Sequence, residues 1–248
     1  MFSERIKPIS VHVPTHLKPL GDKNLGHYLA GLIDGDGHVA KDRIKIVFYI
    51  LDASLAYYIK KEIGFGVVKK IKGKNAVIYT LSNKEGIEKV LCLINGKIRS
   101  DNKLAQINRL LSQPRYSLLQ SKIQEFKLNS LRDLNNYWLA GFADADASFQ
   151  IKLLTRNEAK PRTEVRLAFQ IDQKKDLSVL KKIKELFGGD IRYCKLEDLY
   201  YFTTTSFGSA RKVIRYFDKY HLLSSKHVNY LKWRKTYILV QTQKHPSQ

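Results

Sequence analysis

The chain has 248 residues, 44% of them hydrophobic, which is enough for one large domain or for two domains of about 120 residues with real cores. Lysines and arginines number 44 against 23 acidic residues, and the resulting net charge of +21 predicts a polyanionic partner. The longest apolar run is six residues, Ile46 to Leu51, and no charged-then-apolar leader opens the chain, so we expect neither a membrane protein nor a secreted one.

Motifs typical of zinc sites and of ATP-driven enzymes are absent from the sequence. It contains no Cys-x-x-Cys pair and no Gly-x-x-x-x-Gly-Lys-Ser/Thr loop, and its seven histidines are scattered singly. Cys92 and Cys194 are the only cysteines. We expect both to be buried thiols in a reducing compartment.

The first 112 residues predict one unit of mixed helices and strands. Its elements are, in chain order, a helix over Leu25–Asp36 with Asn24 as a candidate cap, strands near Val39 and over Arg43–Phe48, a helix ending near Gly64, a hairpin over Val67–Leu81, and amphipathic helices through Lys89–Leu111.

A polar connector containing Pro114 follows, and the same order of elements then returns. We therefore divide the chain into residues 1–112, a connector over residues 113–130, and residues 131–248. The second unit has about 14 extra residues, which we expect in an extended loop near Thr155–Thr163. Its predicted elements are a helix over Tyr137–Asp146 capped by Asn135 or Asn136, alternating strands that include Val165–Ile171, a helix ending near Gly188, a hairpin over Ile191–Thr204, and helices through Lys212–Leu239.

Each unit carries the same nine-residue motif on its first helix. Leu29–Gly37 reads LAGLIDGDG and Leu139–Ala147 reads LAGFADADA, with five of the nine positions identical. The small residues Gly31 and Gly35 lie four apart, so they share one helix face and allow two helices to approach closely.

Pairing of the two motif helices would place Asp36 and Asp146 side by side, where two helix dipoles present their negative ends. A divalent cation relieves that repulsion, and Mg²⁺ suits the position because it accepts one or two carboxylates together with waters and phosphate oxygens. For one copy alone, a plain helix interface with solvated aspartates is the alternative. Two copies with the acid at the same position favour the metal site.

These motifs resemble those of the LAGLIDADG homing endonucleases, in the single-chain form with two motifs, and the resemblance covers nearly the whole chain. It implies an α+β fold of two pseudo-symmetric αββαββα repeats, with the motif helices at the interface and a saddle of antiparallel strands that binds DNA. It also implies that Asp36 and Asp146 bind the metal, assisted by the backbone carbonyls of Gly35 and Ala145.

Further residues are predicted around the two carboxylates. Lys103 and Lys226 lie 123 positions apart, each near the start of a closing helix, and the resemblance implies a lysine of this region near the scissile phosphate. Lys97 is a competing candidate for that role. The aspartates two residues earlier in each motif, Asp34 and Asp144, point elsewhere on the helix and are interpreted as capping or structural groups.

A water-positioning amide is predicted in one half only. Gln173 directly follows the strand that ends at Asp172, and it matches a family position whose glutamine organises water at the site. In the first unit we expect Ile50 or Leu51 at that position, so its pocket lacks such an amide.

The strand pattern predicts which side chains face DNA. With Ile44, Ile46 and Phe48 directed inward, their neighbours face outward, and basic residues follow along the second hairpin of each unit. The predicted DNA-binding residues are Arg43, Lys45, Tyr49, Lys70, Lys72 and Lys74 in the first unit, and Arg166, Ala168, Gln170, Asp172, Arg192 and Lys195 in the second.

Together these features predict an Mg²⁺-dependent, site-specific double-strand DNA endonuclease, with Mn²⁺ as a substitute cation and in-line attack of water on phosphorus. The two halves differ, so we expect a monomer with a long non-palindromic target. The resemblance implies short 3′ overhangs and an encoding intron in an organellar, most often mitochondrial, genome. The alternatives are an RNA maturase that binds its own intron RNA and a DNA-binding protein of the same fold without catalysis.

Overall fold

A computed structural model describes residues 8–123, 126–129, 134–156, 162–174 and 177–242 of the chain. The first half begins with the motif helix, which leads directly into a short strand. Its elements are α1 (Gly21–Asp36), β1 (Gly37–Val39), β2 (Ile44–Tyr49), α2 (Ala53–Ile63), β3 (Val67–Lys70), β4 (Ala76–Leu81), α3 (Lys84–Ile94) and α4 (Asp101–Leu111).

A connector helix, α5 (Ser117–Ile123), precedes the second half, which repeats the order of the first. Its elements are α6 (Trp138–Asp146), β5 (Ala147–Arg156), β6 (Arg162–Gln173), α7 (Leu177–Phe187), β7 (Asp190–Cys194), β8 (Leu199–Thr204), α8 (Phe207–Phe217) and α9 (Lys226–Gln241). This is the predicted α+β fold of two αββαββα repeats. Among the described residues, no helix has both the length and the apolar character needed to cross a membrane.

Each half folds around one four-stranded antiparallel sheet. The strand orders are β1-β2-β4-β3 and β5-β6-β8-β7, so the two sheets have the same topology. Alternate residues of each sheet are buried against helices, as the sequence predicts. These inward residues include Ile44, Ile46, Phe48, Val77, Tyr79 and Leu81 in the first sheet, and Leu167, Phe169, Ile171 and Phe202 in the second.

Two glycines bring the backbones of α1 and α6 into direct contact. A Cβ atom at Gly31 would lie 1.8 Å from the carbonyl oxygen of Trp138, and one at Gly141 would lie 2.0 Å from that of Tyr28. Any side chain would therefore separate the two helices. The predicted pairing of the motif helices is confirmed, and it holds the two halves together.

The first aspartate of each motif braces this interface. Asp34 accepts hydrogen bonds from Trp138 Nε1 and from the Arg99 backbone N–H, both at 2.8 Å. Asp144 accepts from Tyr28 OH and the Leu223 N–H, both at 2.7 Å. Each carboxylate thus joins an aromatic side chain of the other motif helix to the loop before the closing helix of its own half, which is the structural role predicted for it.

The extra residues of the second half lengthen its first hairpin. β5 and β6 pair over ten positions, from Ala147↔Ile171 to Arg156↔Arg162, whereas β1 and β2 pair over three. The predicted loop over Thr155–Thr163 is therefore too wide: Thr155, Arg156, Arg162 and Thr163 belong to strands, and residues 157–161 lie outside the described residues.

Three further local expectations are wrong. Cys92 is exposed and Cys194 is only partly buried. Cys92 is exposed because it lies on the solvent face of the amphipathic helix α3. Asn24 is not a cap, since α1 begins earlier, at Gly21. The predicted capping of α6 by Asn135 or Asn136 is also wrong, because Tyr137 occupies the N-cap position; Asn136, one residue earlier, accepts the Trp138 N–H at 2.9 Å.

Candidate catalytic centre and nucleic-acid interface

The second aspartates of the two motifs meet at the ends of the paired helices. Gly35 lies so close to α6 that a Cβ atom there would be 2.4 Å from Ala145 Cβ and 2.9 Å from Asp146 Oδ2. Asp36 and Asp146 are the last residues of α1 and α6, and β1 and β5 start at the next residue. The carboxylates therefore lie where both sheets begin.

The surroundings of these carboxylates disfavour two negative charges. Burial raises the pKa of Asp36 above its ordinary value, although Lys226 and Lys103 act in the opposite direction. Burial raises the pKa of Asp146 to about 7, and the charge of Asp36 contributes to that rise. Two partly desolvated carboxylates that repel each other are a favourable place for a cation.

Two lysines already supply positive charge at the helix ends. Lys226 Nζ donates to the carbonyl oxygen of Ala145 at 2.6 Å and to that of Ala143 at 3.3 Å. Lys103 Nζ donates to the carbonyl oxygen of Gly37. Both lysines lie in the first turn of closing helices, Lys226 in α9 and Lys103 in α4, so the fold brings them to the centre from equivalent elements of the two halves.

The two halves differ at one position of the centre. Gln173 Nε2 donates to Asp146 Oδ2. The strand registers Gly37↔Ile46 and Ala147↔Ile171 make Phe48 the counterpart of Gln173. The expectation of Ile50 or Leu51 at that position is wrong by two or three residues, because the chain turns into a 3₁₀ helix directly after Tyr49.

The centre fits a hard divalent cation of the Mg²⁺ type. It offers two carboxylates, and Mg²⁺ takes few protein ligands and fills its remaining positions with water and phosphate oxygens. Within the described residues no cluster of three or more His, Cys, Asp or Glu side chains could hold a metal. The Ala145 carbonyl, a predicted ligand, accepts instead from the ammonium of Lys226.

Lys97 is not brought to this centre. Its Nζ donates to the carbonyl oxygen of Leu93 at 2.6 Å, and it lines a cavity together with Asp22 and Lys23 in the first turn of α1. A helix rises about 1.5 Å per residue, so Asp22 and Asp36 lie about 21 Å apart along α1.

The outer face of the first sheet presents a mixture of basic and apolar side chains. Lys45, Val47 and Tyr49 alternate with the buried residues of β2 and point away from the core, as predicted. Lys69, opposite Ile78, shares this face, whereas the predicted Lys70 lies opposite the buried Val77 and points to the other face. Arg43 precedes β2 and forms an ion pair with Asp42 at 2.5 Å.

The outer face of the second sheet is polar. Arg166, Gln170 and Arg192 line a concave cavity over β6, β7 and β8. Gln170 Nε2 donates to Asp172 Oδ1 at 2.8 Å, so these neighbours are already ordered. Ala168 lies on this face but is only 2% exposed, because longer side chains surround it, and it forms the floor of the cavity instead of a contact surface.

The remaining predicted DNA-binding residues lie in turns. Lys72 and Lys74 are exposed in the turn between β3 and β4, and Lys195 is exposed in the turn between β7 and β8. Sequence reasoning missed Lys69, although the 123-residue offset that relates Lys103 to Lys226 also relates Lys69 to Arg192. It also missed Gln150, Tyr201 and Thr203, which face the same cavity or its rim.

Comparisons with known proteins agree with this architecture. The model of the LAGLIDADG endonuclease family matches residues 139–237. The uncharacterized cox1 intron-2 37.2 kDa protein of Schizosaccharomyces pombe is 56% identical over 96% of this chain and 73% of its own length. The probable intron-encoded endonuclease 4 of Neurospora crassa is 29% identical over 88% of this chain, which spans 41% of that protein.

Two further similarities concern a maturase and a solved structure. The intron-encoded RNA maturase bI4 of Saccharomyces cerevisiae is 30% identical over 75% of this chain and 28% of its own length. The meganuclease I-SmaMI, solved bound to uncleaved DNA with calcium ions, superposes with a TM-score of 0.68 over 89% of this chain and 92% of its own, at 21% identity, and so shares the fold. The chain belongs to the LAGLIDADG homing endonuclease family, in its single-chain form with two motifs.

Proposed function

We propose that the protein is a site-specific double-strand DNA endonuclease that hydrolyses phosphodiesters with a divalent cation, Mg²⁺ in the first place and Mn²⁺ as a substitute. The observation that carries the proposal is the meeting of Asp36 and Asp146 at the ends of paired helices, where the two sheets begin. One chain supplies both carboxylates, so a monomer suffices, and its unlike halves suit a long non-palindromic target.

The side chains of the centre would have different roles in phosphodiester hydrolysis. Asp36 and Asp146 would hold the cation, which neutralises charge on the scissile phosphate when bound. Burial lowers the pKa of Lys226, and the nearby carboxylates oppose that shift. In its charged form Lys226 would balance charge that develops on phosphate oxygens. Gln173, in contact with Asp146, would orient a water molecule in one half.

The relatives support an origin in an intron of an organellar genome, since the names of several place them in introns and one of these is a cox1 intron. Binding and splicing of the chain's own intron RNA is a second candidate function. The similarity to the maturase bI4 favours it, and it does not exclude cleavage, because both motif aspartates are present.

Cleavage of DNA that contains the intron-insertion sequence tests the proposed function. We expect Mg²⁺ to support double-strand breaks with short 3′ overhangs and EDTA to prevent them. Specific binding without cleavage in either Mg²⁺ or Mn²⁺ would contradict the endonuclease and favour a non-catalytic DNA-binding protein. A splicing assay with the intron transcript tests the maturase separately.

DNA affinity should depend steeply on salt. A protein of charge +21 that contacts roughly ten phosphates releases about that many counterions and should lose about 10³ to 10⁵ in affinity between 50 and 200 mM salt. Fluorescence anisotropy with a labelled duplex in EDTA measures this. A flat response would mean that the basic face does not contact the DNA backbone.

The two DNA strands should be cut at different rates, because Gln173 has Phe48 as its counterpart. Gln173→Leu should slow nicking of one strand by about tenfold or more and leave the other nearly unchanged. Duplexes labelled on either strand report both rates. Equal slowing of both strands, with normal thermal stability, would contradict a local role in one half.

A further inference from the structure

The strand registers relate the outer faces of the two sheets position by position. Ile46 pairs with Gly37 and Tyr79, and Ile171 pairs with Ala147 and Phe202, so these rows are equivalent. The registers of β3 and β7 extend the correspondence to the edge strands. The resulting outer-face pairs, first half named first, are His38 and Ser148, Lys45 and Gln170, Thr80 and Thr203, Val67 and Asp190, Val47 and Asp172, Ile78 and Tyr201, and Lys69 and Arg192.

Two of these pairs match a valine with an aspartate. Val47 is 42% exposed and Val67 is 49% exposed, and both stand on the outer face beside Lys45 or Lys69. Their counterparts Asp172 and Asp190 stand at the same positions of the second sheet, where Asp190 Oδ1 also lies 3.8 Å from Lys184 Nζ at an exposed ion pair.

Exposed valines on a face that meets DNA have one specific partner in the major groove. Only thymine presents a methyl group there, and apolar side chains contact it. Val47 lies opposite Ile78, which is also on the outer face, so the apolar surface extends across two strands.

Asp172 and Asp190 require hydrogen-bond donors on the bases instead of methyl groups. A carboxylate close to phosphates is repelled unless it accepts a hydrogen bond, and the donors exposed in the major groove are the amino groups of cytosine and adenine. Gln170 Nε2 donates to Asp172 Oδ1 at 2.8 Å, so Gln170 fixes this carboxylate while its other oxygen can accept from a base.

We propose that Val47 and Val67 read thymine methyl groups in one half-site, and that Asp172 and Asp190 read base amino groups at the mirrored positions of the other. This inference rests on the proposed DNA recognition and deepens it. The target is then asymmetric in a defined way, with thymine in one half-site where the mirrored position of the other half-site has cytosine or adenine.

Selection from a randomised duplex library, in EDTA to prevent cleavage, tests whether these valines and aspartates determine the base preferences. The natural chain should select thymine at the Val47 position and an amino-bearing base at the mirrored one. Asp172→Val should change the second preference to thymine, and Val47→Asp should change the first to an amino-bearing base. Val228→Asp alters another exposed valine outside this face, on α9, and should change neither preference.

Removal of single methyl groups provides a second measurement on the selected duplex. Replacement of thymine by uracil at the Val47 and Val67 positions should weaken binding about fourfold for each methyl group, and replacement of thymines elsewhere in the duplex should have little effect. Val47→Ala should abolish the uracil effect at its position. An equal uracil effect at every thymine of the duplex, or unchanged preferences in the exchange variants, would overturn the inference, whereas a natural chain that selects no sequence would overturn the proposed DNA recognition itself.

Discussion

Replacement of Asp36 or Asp146 by asparagine should abolish double-strand cleavage and leave DNA affinity nearly unchanged. Each change removes one carboxylate from the cation site, and metal stabilisation of a phosphoryl transition state is worth several kcal/mol, so the rate should fall by about 10³-fold or more. The outer faces of the sheets that would contact DNA are untouched. Cleavage of plasmid target and anisotropy with the same duplex measure the two effects.

A matched control comes from the same helix. Asp22→Asn makes the same substitution in the first turn of α1, at an exposed position far from the centre, and should cleave normally. Binding of Mg²⁺ to the folded state should also raise the unfolding temperature of the natural chain, and less so that of Asp36→Asn or Asp146→Asn. Full cleavage by either variant, or an equal Mg²⁺ effect in all three proteins, would mean that these carboxylates do not hold the cation.

The centre of the molecule is predictable from sequence because it repeats. Two copies of a short motif with glycine at the same position predict close contact between the two motif helices. The structure shows that contact at Gly31 and Gly141. The same repetition predicts Asp36 and Asp146 as metal-binding residues before the fold is known. The different role of Asp34 and Asp144 follows from helix geometry, since residues two positions apart on a helix point to different faces.

Details of the sheets are harder to predict because a shift of one residue reverses every side chain. Lys69 and Lys70 are chemically identical in the sequence, and only the pairing of Lys70 with Val77 shows that Lys69 faces outward. Lys97 is near Lys103 in sequence, yet the turn between α3 and α4 sends them to opposite ends of α1. Cys92 lies in an apolar run, but a helix exposes some members of any such run.

Gly141→Ala should destabilise the protein by about 3 kcal/mol or more, because the new methyl group would overlap the backbone of α1. The Cβ atom would lie 2.0 Å from the Tyr28 carbonyl oxygen and 2.9 Å from the Leu32 nitrogen, and backbone atoms of a packed helix cannot rotate away. The helices must separate, which also weakens the hydrogen bond between Tyr28 OH and Asp144. Gly31→Ala should behave alike, since its Cβ atom meets Trp138.

Gly208→Ala is the matched control, because Gly208 is also helical but a Cβ atom there meets nothing within 4 Å. Alanine is the better helix former, so this change should leave stability unchanged or raise it by up to about 1 kcal/mol. Thermal unfolding separates the cases, since about 3 kcal/mol corresponds to a fall of roughly 6–12 °C in a chain of this size. If Gly141→Ala and Gly208→Ala unfold at the same temperature, the two motif helices do not pack as closely as their glycines allow, and Asp36 and Asp146 lose the constraint that brings them together.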